Sequence, residues 1–131
     1  MTESSCPNEP FPLFLPKQIY PEVFMMIVTA WNNGTPSCSG AEYGVKVEVD
    51  DRDRYFCRDW DTIELELQGY AHVVKVDVAK PSFWNSTCRE LIHSEIGRWL
   101  IDNRLDSWPV GQPPRLQLKF IGGNRFRLVK E

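Results

Sequence analysis

IELELQGYAHVVKVDV, residues 63–78, alternates apolar and polar side chains on both sides of a break at Gly69-Tyr70-Ala71-His72. A period of two predicts half-buried β-strands. Ile63, Leu65 and Leu67 face inward from the first strand and Val74, Val76 and Val78 from the second, leaving Glu64, Glu66, Lys75 and Asp77 outside. Pairing Leu67 with Val74, Leu65 with Val76 and Ile63 with Val78 joins inward residues and sets Glu66 opposite Lys75, as register in a one-sided sheet requires.

Upstream, Val45, Val47 and Val49 predict a third alternating strand, with Lys46 and Glu48 outward. Before it, VFMMIVTAW (23–31) is apolar on both faces and predicts a central strand. Between them lies the loop Asn32 to Tyr43, with Asn33-Gly34, Pro36 and Gly40. Structureless connections of that length are often functional. Downstream of Pro81 the period changes to about 3.6. Thr87 and Glu90 read as a capping box, and Cys88, Leu91/Ile92, Ile96 and Trp99/Leu100 as one apolar stripe ending near Asn103. Ser94 offers an alternative cap that would split the region at Ile92–His93.

After the turn-rich connector LDSWPVGQPP (105–114) the chain closes with a second hairpin. Matching Phe120 to Phe126 and Leu118 to Leu128 predicts a three-residue turn, Gly122-Gly123-Asn124, with a left-handed position. Lys119 then faces Arg127, so both splay into water or an anion lies between them. At the other end, Pro7, Pro10, Pro12, Pro16 and Pro21 exclude a helix or central strand from residues 1–21. Phe11, Leu13, Phe14 and Leu15 make that arm a docking segment, on the domain's own core or on a partner subunit. The expected architecture is a Pro-rich arm, 1–21, and a single α+β domain, 22–131. The domain is a mostly antiparallel curved sheet of about six strands with one or two helices on one face.

The 131 residues, 42% hydrophobic and 25% charged, suit one globular domain. A net charge of −3 argues against non-specific nucleic-acid binding by the whole surface. Charge is uneven, however. Glu42 to Asp61 carries seven acids, whereas Arg115, Lys119, Arg125, Arg127 and Lys130 oppose only Glu131. No basic leader with an apolar run opens the chain, and Val23–Trp31 is too short to span a bilayer. Cys6, Cys38, Cys57 and Cys88 are irregularly spaced, and the expectation is a reduced, cytoplasmic protein without a membrane segment.

Chemical motifs are scarce. Cys88 and His93, five apart, do not share a helix face, and a thiol nucleophile needs a base in reach. His93 reads as an exposed or capping side chain, and His72 as a loop residue without an evident partner. No zinc spacing occurs, and Asp50, Asp51 and Asp53 lack the glycine and distal glutamate of a calcium loop. They read as a solvated loop neutralised by Arg52 and Arg54. Asp77 and Lys80 do not match a metal-dependent nuclease spacing, and no phosphate loop is present. No cofactor is expected.

The tryptophans carry more. Trp31, Trp60, Trp84 and Trp108 sit beside Gly, Pro, Asn, Asp or Ser, and only Trp99 lies on a helical stripe. A turn Trp keeps a wet indole N–H and a broad apolar face, suited to recognition as well as to plugging a core edge.

Taken together, WNNGTPSCSGAEYG (31–44), DRDRYF (51–56), PSFWNSTCREL (81–91), EIGRWL (95–100), WPVGQPP (108–114) and GGNRF (122–126) resemble a family of small uncharacterised bacterial proteins. Some members of that family are encoded on integron gene cassettes. The likeness spans about residues 23–129. It implies a mobile accessory gene product with no established activity, and it transfers no catalytic residue.

The residues support a non-enzymatic, homo-oligomeric binding module for a small molecule or protein. Trp31, Asn33, Tyr43, Trp60 and Trp108 would form its wall, with Arg125 and Arg127 as anion-facing helpers. Two alternatives are nucleic-acid binding by the basic C-terminal hairpin and an enzyme with a carboxylate site around Asp50, Asp51, Asp53 or Asp77.

Overall fold

The structure, a computed structural model, describes residues 25–34 and 42–131. The arm 1–21, its Phe11–Leu15 segment, Cys6 and Cys38 lie outside the described residues, as do Val23 and Phe24 of the first strand and 35–41 of the long loop. In chain order the elements are β1 (Met25–Asn32), β2 (Tyr43–Lys46), α1 (Val49–Tyr55), β3 (Thr62–Leu67) and β4 (Val73–Asp77). Then follow α2 (Pro81–Trp84), β5 (Glu90–Ile92), α3 (Ser94–Asp102), β6 (Arg115–Gly122) and β7 (Arg125–Lys130).

The fold is α+β, a seven-stranded curved sheet in the order β4-β3-β7-β6-β1-β2-β5. All described pairings are antiparallel except β3 with β7. The outermost strands β4 and β5 touch, so the sheet curls into a nearly closed barrel. Curling of this kind removes most of the exposed strand edge. Met26, Val28, Ala30, Val45, Ile63, Leu65, Leu67, Val74, Val76, Leu116, Leu118, Phe120, Phe126 and Leu128 fill it.

Strand direction defines two ends. At one, α3 inserts Trp99, fully buried, whose Nε1 donates to the Gln68 carbonyl at 2.8 Å. At the other, Phe56 after α1 stacks on Phe126 with centroids 4.6 Å apart and planes at 9°, and Phe83 of α2 meets Phe56 edge-on at 5.1 Å.

The inward faces of residues 63–78 are as expected, but the register differs by two residues. Leu65 pairs with Val74, Ile63 with Val76 and Glu64 with Lys75. A shift of two keeps every face, and it frees Gln68–His72 to lean on α3. There Tyr70 donates to Asp102 Oδ2 at 2.8 Å, and His72 Nε2 lies 3.6 Å from Glu95 Oε1. Burial first, then the hydrogen bond and charge of Asp102 and the charge of Glu95, push the Tyr70 phenol up to about 12, against a smaller pull from Arg98.

An unfolded tyrosine ionises near 10, so this stabilisation is complete below pH 10 and drains away as pH rises to about 12. Urea unfolding at pH 9 and pH 11 is expected to show a larger loss for the wild type than for Tyr70→Phe. Equal losses would remove Tyr70 from the alkaline limb.

Three other expectations are corrected. Val49 is not an inward strand residue. It is 37% exposed and opens α1, where Asp50 and Asp51 suit a helix N-terminus. The acidic run is thus a helix, and its Arg52 is buried rather than a solvated neighbour. Second, no helix runs through 87–92. Asn85 Oδ1 accepts from the Thr87 and Cys88 amides at 3.0 and 2.7 Å, Arg89 has φ 62°, and Glu90–Ile92 is a strand. The split at Ile92–His93 is real, but the cap is His93, whose Nδ1 accepts from the Glu95 amide at 3.0 Å.

Third, the C-terminal hairpin keeps its expected register, Phe120 with Phe126 and Leu118 with Leu128, but Gly122 pairs with Arg125. The odd residue is absorbed by a bulge at Ile121, with Gly122 and Gly123 at φ 123° and 56°, and not by a three-residue turn.

Cysteine chemistry also differs from expectation. Cys57 is disulfide-bonded, which runs against a wholly reduced set, and Cys88 is a free, half-buried thiol off any helical stripe. No described helix is long and apolar enough to cross a membrane.

Candidate functional site

The sequence-derived wall divides between the two ends of the barrel. In the β1–β2 ladder Trp31 pairs with Gly44 and Asn32 with Tyr43, and the Asn33 amide donates to the Glu42 carbonyl at 3.1 Å. The Ala30 amide donates to Pro114 at 3.0 Å, which draws the connector between α3 and β6 alongside. Trp108, on that connector, packs against the core while remaining half-buried. Trp31, Asn33, Tyr43 and Trp108 therefore gather at the Trp99 end. Trp60 does not join them. It precedes β3 at the opposite end and lies edge-on to Phe56 and Phe126, each at 6.3 Å.

Hydrogen bonding separates the five indoles further. Trp99 and Trp84 are anchored, the latter by donation to the Val78 carbonyl at 2.8 Å. Trp31 and Trp108 donate to no described residue. Tyr43 is 5% exposed, and its hydroxyl likewise has no hydrogen-bond partner among the described residues. Burial, Asp106 and Glu42 push the Tyr43 phenol above the usual tyrosine range, so it stays a neutral donor well into alkaline pH. The mouth thus carries three donors without partners among the described residues, and two broad aromatic faces.

Arg125 and Arg127 stand apart on the outer sheet face. Arg125 Nε donates to Glu64 Oε1 at 2.9 Å, and Arg127 Nε lies 3.2 Å from Glu66 Oε1, as the parallel β3–β7 register places them. Lys119 does face Arg127 across β6–β7. The repulsion is relieved by Glu66 from the neighbouring strand, so no external anion is needed.

Two arrangements escaped the sequence reading. Arg52 Nη1 donates to the Phe83 and Asn85 carbonyls at 3.0 and 2.7 Å, and its guanidinium lies 5.2 Å from the Trp84 ring centroid. Arg58, exposed, lies over the same ring at 4.7 Å. Its signal in the sequence was an Arg six residues beyond Arg52 with an unassigned Trp downstream, too diffuse to place. The second is the approach of β4 to β5, which brings the charge of Glu90 to bear on the half-buried Lys80. No described group of His, Cys, Asp and Glu side chains is arranged to hold a metal ion. Compared with protein-family profiles, curated proteins and solved structures, the chain finds no match.

Proposed function

We propose that the chain is a binding module whose recognition site is the mouth at the Trp99 end, with Trp31, Tyr43, Trp108 and Asn33 as its contacts. The ligand is a small molecule, or a protein side chain, with a planar apolar body and hydrogen-bond acceptors. The observation that carries the reading is the gathering of three donors without a partner among the described residues, Trp31 Nε1, Trp108 Nε1 and Tyr43 Oη, at one end of the barrel. Such a combination of apolar wall and few convergent polar groups is what ligand sites are made of. Trp60 is left out by its position. The integron-cassette resemblance contributes nothing to the choice of ligand.

A fluorescence and thermal-shift screen with aromatic carboxylates and amides tests this. Trp108→Phe and Tyr43→Phe keep the apolar body and remove the donor. Each is expected to weaken a bound acceptor by roughly 3–10-fold, the worth of one hydrogen bond, with little change in melting temperature. Ligands that bind both variants as tightly as wild type, or a collapse of folding in both, would count against the site.

The nucleic-acid reading of the C-terminal hairpin ranks lower, because Arg115, Arg125 and Arg127 already face Glu131, Glu64 and Glu66. The carboxylate-site reading ranks lower too, since Asp53 is paired with Arg52 at 3.0 Å.

A further inference from the structure

Cys57 follows α1, is 1% exposed and is disulfide-bonded. Of the other three cysteines, Cys88 is a free thiol, so the partner is Cys6 or Cys38. The described barrel decides between them by reach. Phe56, next to Cys57, stacks on Phe126, and Phe126 pairs with Phe120, one residue past the Met25–Lys119 pair. Cys57 therefore lies at the end of the barrel where the chain enters β1. Cys38 belongs to the loop that leaves β1 at the other end, where the Asn33 amide donates to the Glu42 carbonyl.

The two ends are separated by the length of β1, Met25–Asn32, which is roughly 23 Å at about 3.3 Å per residue. Cys38 is four residues from Glu42. Such a stretch covers at most about 14 Å, and a disulfide joins Cα atoms no more than about 7 Å apart. Even drawn straight, that loop falls short of Cys57. Cys6 has no such limit. It precedes Met25 by 19 residues, enough chain for roughly 60 Å, and Met25 begins at the end where Cys57 lies.

We propose that Cys57 is cross-linked to Cys6 of the same chain, which anchors the N-terminal arm at the Phe56 end of the barrel. The arm then belongs to its own barrel and is not exchanged between subunits. The tryptophan mouth, at the opposite end, is independent of it. Tethered through β1, Cys6 meets Cys57 at an effective concentration that a second copy in solution does not match. The oxidant is a dithiol carrier in its disulfide form. One thiolate of the pair attacks the carrier disulfide and releases a carrier thiolate. The other thiolate then displaces the second carrier sulfur from the mixed disulfide. Two electrons and two protons thus pass from Cys6 and Cys57 to the carrier, which ends as a dithiol. Burial of Cys57 keeps solution thiols from the finished bond, because exchange needs access to a sulfur.

The test is a disulfide map of the full chain, expressed into a bacterial periplasm, purified without reductant, blocked with N-ethylmaleimide and digested with trypsin. Met1–Lys17 holds Cys6, Gln18–Lys46 holds Cys38 and Tyr55–Arg58 holds Cys57. The expected result is Met1–Lys17 joined to Tyr55–Arg58, a mass that disappears on reduction, with maleimide on Cys88. Before digestion, the intact mass without reductant is expected to be that of one chain, which places the bond within a single copy. Gln18–Lys46 joined to Tyr55–Arg58 overturns the proposal, and so does maleimide on Cys57. An intact mass of two chains that reduction halves overturns it as well.

Discussion

Trp99→Ala is expected to lower the free energy of unfolding by about 3–5 kcal/mol, the range for removing a fully buried large aromatic. For a domain of 131 residues, whose whole stability is of order 5–15 kcal/mol, that is a large fraction. It corresponds to a fall in melting temperature of roughly 10–20 °C. Three effects add. The side chain is wholly shielded, so its transfer free energy is lost in full. Barrel strands on the facing side are already paired, so the cavity cannot close by simple collapse. The third is polar. Removal of Nε1 leaves the Gln68 carbonyl, at the start of the β3–β4 turn, without its donor.

Differential scanning calorimetry with urea titration checks this expectation. Trp99→Phe serves as the partial case, because it restores most of the volume and not the hydrogen bond. A loss below about 1 kcal/mol for Trp99→Ala would mean that the plug does not carry the closure of this end.

Trp99 also marks the boundary of what could be read from the amino acids. Its inward position followed from helical spacing, as the strand faces followed from the alternation of residues 63–78. Both are local periodicities and need no knowledge of neighbours. Register within β3–β4 was not local. A two-residue shift keeps every face, and the deciding contact, Tyr70 to Asp102, joins residues 32 apart in sequence. The C-terminal hairpin was legible because one short turn and two aromatic residues leave few ways to close it.

Residues 87–92 misled because Leu91 and Ile92 fit a helical stripe as well as a strand. The choice was made by Arg89 at φ 62° and by the Asn85 side chain, neither of which alters the apolar pattern. Helix α1, at seven residues, is too short to show a period at all. Of the candidate site, the closeness of Trp31 to Tyr43 follows from a hairpin and was accessible. The separation of Trp60 depends on strand direction, and the approach of β4 to β5 depends on a sheet curling until its first and last strands touch.

That closure is also where a single methyl group should do most damage. A Cβ added at Gly44 would lie 2.2 Å from the Leu91 carbonyl oxygen, 3.0 Å from its carbon and 3.1 Å from Ile92 Cα. All three are backbone atoms of β5, the strand that pairs with β2 through Gly44–Ile92, Val45–Leu91 and Lys46–Glu90. A flexible side chain could turn away, but a paired backbone cannot move without breaking its ladder. Gly44→Ala is therefore expected to separate β5 from β2, at a cost of about 2–3 kcal/mol or more. Valine at the same position should be worse.

The comparison that isolates the cause is Gly69→Ala. There φ is +89° and no atom lies within 4 Å of the added carbon, so strain arises without a clash. It is expected to cost about 1–2 kcal/mol and to leave β5 in place. Hydrogen exchange distinguishes the two, with the β2 and β5 amides losing protection in Gly44→Ala while those of β3 and β7 keep it. Full protection of the β5 amides in Gly44→Ala would mean that β2 and β5 approach less closely than the 2.2 Å contact requires.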